Sequence, residues 1–181
     1  MSMLLGTRKL AFLSLLMALT VVLIILSGVL EFNTLFLLAL ASFGAGIAYR
    51  EGGLGIGFGF FAGSLILGAL LAPNKFYLIT YGAMTLYLIV SEFAYDKLYI
   101  VKSITVRNKV LWLVKYILFN LIFISILLLA PKLIFPGEIN FKVQLFIIAG
   151  GQIVLFLYDK GYRYFQGNIW EKVRRKLKLN E

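Results

Sequence analysis

The sequence predicts an all-α integral membrane bundle of six transmembrane helices, and three observations carry that prediction. Apolar residues make up 61% of the 181-residue chain and charged residues only 14%. The apolar residues gather into six blocks separated by short polar or Gly/Pro-containing stretches. A run of about 20 apolar residues is about 30 Å long as a helix, which matches the hydrocarbon core of a bilayer. A soluble domain of this length has too few polar side chains here to clothe its surface.

Each block has its own start and stop. The first, about Leu10 to Leu30, follows Arg8 and Lys9. It is longer than the apolar core of a signal peptide and has no small-residue cleavage site, so it reads as a retained helix. The second, about Leu35 to Tyr49, is short and follows Glu31, Asn33 and Thr34. The third runs from about Leu54 to Ala72 and stops at Pro73. The fourth covers about Phe76 to Ala94 and contains Glu92. The fifth, about Val110 to Ala130, stops at Pro131, and the sixth, about Val143 to Tyr158, ends at Asp159 and Lys160.

Six crossings put both termini on one side, and the distribution of Lys and Arg decides which. Arg8, Lys9, Arg50, Lys97, Lys102, Arg107, Lys109, Lys160, Arg163, Lys172, Arg174, Arg175, Lys176 and Lys178 fall on the terminal side. The opposite side holds Lys75, Lys132 and Lys142, with Lys115 inside the fifth span. Fourteen against three predicts cytoplasmic N- and C-termini in a multi-pass protein of the cell membrane. The net charge of +10 is thereby explained by topology, and no nucleic-acid partner is expected.

The chain divides into a six-helix transmembrane domain, residues 1–162, and a basic amphipathic cytoplasmic tail, residues 163–181. In the tail Ile169, Trp170, Val173 and Leu177 recur at helical spacing among Lys and Arg. Such a helix lies in the interface and is drawn to anionic lipid; a docking site for a cytoplasmic partner is the alternative. The stretch from Asp96 to Lys109 mixes apolar and basic residues in the same way.

Much chemistry is excluded by composition. Neither cysteine nor histidine is present. Disulfides, thiol nucleophiles, thiolate metal sites and the commonest general base are all missing. Only eight carboxylates remain, most of them at predicted helix ends. Enzymatic activity is not expected, and no cofactor or metal is expected. The stretch Gly57-Phe58-Gly59-Phe60-Phe61-Ala62 formally resembles a dinucleotide fingerprint, but no strand precedes it and it lies within an apolar span.

The remaining patterns are polar or small. Gly55, Gly59 and Gly63 repeat every four residues, with Gly53 and Gly57 as a second row. That spacing lets helix backbones approach closely, either inside the bundle or against a partner. Ser14 and Ala18 form a smaller pair on the first helix. Near the predicted outer surface lie Glu31, Asn33, Asn74, Lys75 and Glu138, with Tyr77 and Tyr81 one and two turns below Asn74 and Lys75. These residues either belong to wet loops or cap a pocket for a small molecule. Asn120 and Gln152 fall near the middle of helices five and six, where an unpartnered amide is costly. They either bond to each other or form the pocket's floor. Glu92 and Lys115, each about a turn inside the cytoplasmic boundary, are candidates to pair.

The basic start running into Thr7-Arg8-Lys9-Leu10-Ala11-Phe12-Leu13-Ser14-Leu15-Leu16-Met17-Ala18-Leu19, followed by a small six-helix bundle with both ends inside, resembles a known family. It is similar to the substrate-binding S components of energy-coupling factor transporters, which import vitamins. The likeness covers the whole chain in architecture and the first helix in sequence. It implies that Ser14 and Ala18, with serine in place of the usual alanine, meet a transmembrane coupling subunit. It also implies substrate held near the outer face and energy supplied by partner ATPases, since no Walker motif is present here. The stretch from Asn33 to Ser42 and the turn Pro73-Asn74-Lys75 also resemble uncharacterised six-helix membrane proteins of Gram-positive bacteria, which carry no assigned function.

Three functions compete. The first is a membrane-embedded substrate-binding subunit for uptake of a small nutrient such as a vitamin. The second is a non-transporting scaffold or subunit of a cell-envelope complex. The third is an integral lipid-modifying enzyme.

Overall fold

The computed structural model describes residues 6–129 and 141–177. The helices are α1 (Thr7–Val29), α2 (Thr34–Leu71), α3 (Tyr77–Leu98), α4 (Ile104–Leu129), α5 (Phe141–Tyr164) and a short α6 (Glu171–Lys176). A 3-10 turn, Glu31–Asn33, leads into α2, and a π-helical turn, Phe165–Trp170, joins α5 to α6. No strand occurs among the described residues. The protein is an all-α, membrane-embedded one, with five helices long and apolar enough to cross a bilayer.

Five replaces the six expected, because the second and third apolar blocks belong to one helical element, α2. The backbone is helical on both sides of Gly53 and departs from helix only there, with φ 76° and ψ −171°. A side chain rarely tolerates that conformation, and glycine does. The single reversal folds α2 into two antiparallel limbs, residues 34–52 and 54–71. A Cβ built on Gly57 would lie 3.0 Å from the Tyr49 Cβ and 3.2 Å from its Cα. In a straight helix residues eight apart are separated by about 12 Å.

The first limb is the central column of the molecule. Residues 41–49 are all buried, which explains why this block reads Ala41, Ser42, Gly44, Ala45, Gly46 and Ala48 with few large side chains. A helix enclosed on all sides has room for little else. One core cluster joins Ala45, Ala48 and Tyr49 to Leu13 of α1, Phe60 of the second limb and Ile89 of α3. A second joins Leu38 and Ala41 to Ile24, Ala72 and Tyr81. A third joins Phe43 to Tyr87, Leu88, Leu155 and Tyr162. By contrast α4 buries only Leu111 and Leu127 and stands at the periphery.

The start of α1 and the C-terminal segment meet at one end of the bundle. Phe12 packs on Trp170 with ring centroids 5.1 Å apart. Arg174 Nε lies 2.8 Å from Glu51 Oε1, and Lys9 Nζ lies 3.9 Å from Glu51 Oε2. The reversal at Gly53, the C-terminus of α3 and the N-terminus of α4 share this end. At the other end Thr34 Oγ1 donates to the Ser27 carbonyl at 3.0 Å, and Gly28 packs on the Pro73 ring.

One further expectation changes. The sixth helix does not end at Asp159: it runs on through Tyr164 and the π turn, because Asp159 is buried and charge-paired instead of exposed as a helix stop. The tail from residue 163 is continuous with α5. Ile169, Val173 and Leu177 are exposed along it, but Trp170 is buried against Phe12 and Ile47. Trp170 thereby ties the tail to the bundle.

Candidate functional site

A cavity of about 650 Å³ lies between the first limb of α2 and helices α3, α4 and α5. Each helix contributes one face at helical spacing. From α3 come Tyr77, Thr80, Ala83, Met84 and Tyr87; from α4, Phe119, Ile122, Phe123 and Ile126. From α5 come Ile147, Gly151, Val154, Leu155 and Tyr158, and from α2, Thr34, Leu35 and Leu38. Repeats of three, four and seven residues keep these side chains on one face of each helix. From Tyr77 to Tyr87 the cavity descends about 15 Å along α3, half a hydrocarbon core.

Among the described residues no charged side chain lines it. Its walls are aliphatic and aromatic, and its polar groups are hydroxyls at the rim and the floor. Thr34 and Tyr77 sit at the rim. At the floor the Tyr158 hydroxyl shares a 2.6 Å hydrogen bond with Ser42 Oγ and donates to the Met84 carbonyl at 3.2 Å. The Tyr87 hydroxyl donates to Asp159 Oδ1 at 3.3 Å.

Beneath the floor lies a layer of paired charges. Asp159 receives Lys115 Nζ on Oδ1 and faces Arg163 at 2.9 Å on Oδ2. Arg50 grips Glu92 with two hydrogen bonds, Nε at 2.9 Å and a terminal nitrogen at 2.8 Å. Tyr49 donates to Asp96 Oδ2 at 2.9 Å. Glu92 and Lys115 do not pair with each other, as the sequence suggested; each has a nearer partner on another helix. Buried carboxylates persist only when their charge is met in this way. Among the described residues no group of three or more His, Cys, Asp or Glu is arranged to hold a metal ion.

The residues singled out from sequence separate. Tyr77 lines the cavity. Tyr81 is fully buried on another side of α3 and shares a 2.7 Å hydrogen bond with Ser64 Oγ. Asn120 and Gln152 bond to each other, Gln152 Nε2 donating to Asn120 Oδ1 at 3.0 Å, and do not line the cavity. Asn74 closes its own turn, its Oδ1 accepting the Phe76 N–H at 3.1 Å. Asn33 and Lys75 are exposed. The backbone of Glu31 belongs to the 3-10 turn, and Glu138 lies outside the described residues. Ser14 and Ala18 are exposed on α1, on the face away from the core.

Sequence reasoning missed the cavity's main residues, Met84, Tyr87, Phe119, Phe123 and Tyr158. Phe and Met in an apolar span carry no distinguishing signal. The tyrosines do, since a buried phenol needs a hydrogen-bond partner. Comparison with known proteins returns no matching family model, no similar curated protein and no similar solved structure.

Proposed function

We propose that the protein is a membrane-embedded binding subunit for uptake of a small nutrient, such as a vitamin, whose buried part is uncharged and largely apolar. The observation that carries this reading is the cavity of about 650 Å³, a size suited to a small organic ligand. Its aromatic walls suit stacking and its few hydroxyls suit orienting one or two polar groups. A free carboxylate or phosphate would find no counter-charge among the described residues of the lining.

The basic end, where Lys and Arg concentrate, faces the cytoplasm on this reading. The two limbs of α2 then make two crossings, giving six in all with both termini inside. The cavity's rim faces outward and its floor is sealed from the cytoplasm by the paired charges. Release inward requires that layer to open, work assigned to a coupling subunit and ATPases. The exposed face of Ser14 and Ala18 supports such a contact, because neither residue is used for internal packing.

The test is a thermal-shift screen of the purified protein against uncharged aromatic and isoprenoid compounds alongside anionic vitamins. Stabilisation by a member of the uncharged set, lost in Ala83→Trp and in Val154→Phe, is the expected result. Both substitutions place bulk in the cavity. Stabilisation that survives both, or that only anionic compounds give, refutes this assignment. A protein that no compound stabilises, and that co-purifies with envelope proteins, fits the scaffold reading better.

A further inference from the structure

At the corner where α3 passes into α4, one arginine is held in a way unlike its neighbours. Arg50, Arg163 and Arg174 each face a carboxylate. Arg107 faces two aromatic rings instead, its guanidinium carbon 5.8 Å from the centroid of Tyr95 and 5.7 Å from that of Tyr99. Among the described residues it has no ion pair, and its Nε is buried without a hydrogen-bond partner. The nearby carboxylate in sequence, Asp96, is engaged with Tyr49.

The surroundings are cationic and apolar together. Lys97 lies over the Phe93 ring at 5.4 Å, and Lys102 and Lys109 are exposed. Around them Tyr99, Ile100, Ile104 and Val106 are all exposed, Ile100 to 84%. Exposed isoleucines beside lysines at the end of a membrane helix are suited to the boundary between headgroups and acyl chains. A guanidinium fixed by rings keeps its planar fork of N–H donors in one orientation, and that fork matches the oxygens of a phosphate.

We propose that Arg107, clasped by Tyr95 and Tyr99, is the phosphate-binding residue of a site for an anionic phospholipid, with Lys97 and Lys102 supplying long-range attraction. The apolar rim favours lipid over a soluble acidic partner, because such a partner would have to bury its surface against residues that sit in the bilayer edge. The positive potential of this end matches the anionic charge of a cytoplasmic leaflet. The proposal concerns a surface separate from the cavity and holds whether or not the protein takes up a nutrient.

The experiment uses the full chain in mild detergent, titrated with phosphatidylglycerol, with phosphatidylcholine or with inorganic phosphate, and read by melting temperature and native mass spectrometry. Phosphatidylglycerol should stabilise the protein and remain bound; phosphatidylcholine and inorganic phosphate should do neither. Arg107→Gln should weaken phosphatidylglycerol binding about fivefold, the loss of one cation at an anionic surface, and Arg107→Lys should keep part of it. Unaltered phosphatidylglycerol binding by Arg107→Gln overturns the proposal, as does equal stabilisation by inorganic phosphate, the mark of an adventitious ion only. Should Arg107→Gln fail to fold, Tyr99→Leu provides the same reading, since it removes one ring and leaves the charge. Unchanged binding there also overturns the proposal.

Discussion

A carboxylate taken out of water needs its charge met, and Asp159, 1% exposed, meets three groups at once: Lys115, Arg163 and the Tyr87 hydroxyl. Asp159→Asn leaves the half-buried Lys115 without its counter-charge, so it should destabilise the protein by about 3 kcal/mol. Guanidinium or thermal unfolding in detergent measures this. Adding Lys115→Met to Asp159→Asn should recover about half of the loss; no recovery would mean that Asp159 acts through Tyr87 or Arg163. In the linear sequence Asp159 looks like the polar stop of an apolar block. Its partner Lys115 lies 44 residues away on another helix, and no local pattern encodes that rotation. Asn120 and Gln152 were legible for the opposite reason. Two amides at mid-membrane depth on adjacent helices have few partners other than each other. At the cavity, a Cβ on Gly151 would lie 2.7 Å from the Phe123 ring. Gly151→Ala should push that ring into the cavity, lowering ligand affinity with a stability cost of about 1 kcal/mol; unchanged affinity in the ligand screen would place the ligand elsewhere.

At the scale of the helix, the glycine-rich block separates into positions with different tasks, and their spacing alone does not tell them apart. Gly55 and Gly59 have nothing within 4 Å of a built Cβ. Gly55→Ala and Gly59→Ala should therefore leave the melting temperature unchanged or slightly raised. Gly57 presses on the Tyr49 backbone and Gly53 holds φ 76°. Gly57→Ala must part the two limbs, and Gly53→Ala must either strain the reversal or straighten it, at a cost of about 2 kcal/mol. A melting series of the four variants checks the ranking; a Gly53→Ala as stable as Gly55→Ala would mean the reversal is not fixed there. The apolar blocks that become α1, α3 and α4 were readable from hydropathy because lipid imposes one rule on every crossing. The break between the second and third blocks was marked by Arg50, Glu51, Gly52 and Gly53; what was not legible is that the backbone stays helical on both sides of a single residue, Gly53. The continuation of α5 into the tail was hidden likewise, because basic residues signal a membrane boundary and say nothing about where the helix ends.

For the whole molecule, the reversal inside α2 decides the topology. A straight helix of 38 residues would be about 57 Å long, nearly twice a hydrocarbon core, and would bury Glu51 and Arg50 near mid-membrane. Folded back, it returns the chain to the end where Lys9, Arg50, Glu51 and Arg174 lie together. On the proposed topology the basic residues then collect on one face of the bilayer and the cavity's rim on the other. Because the chain contains no cysteine, single substitutions report side unambiguously. Leu54→Cys, next to the reversal, and Ser103→Cys, between α3 and α4, should both resist membrane-impermeant thiol reagents in intact cells and react with permeant ones. Asn33→Cys, in the 3-10 turn at the opposite end, should react with the impermeant reagent from outside. All three positions are exposed, so their reactivity measures access and not burial. Impermeant labelling at Leu54→Cys with protection at Ser103→Cys would place the reversal outside and leave an odd number of crossings between it and Ser103, where the six-crossing arrangement has two. Protection at Leu54→Cys from both reagents would place it within the hydrocarbon. Either result would undo the six-crossing arrangement and, with it, the outward-facing cavity on which uptake depends.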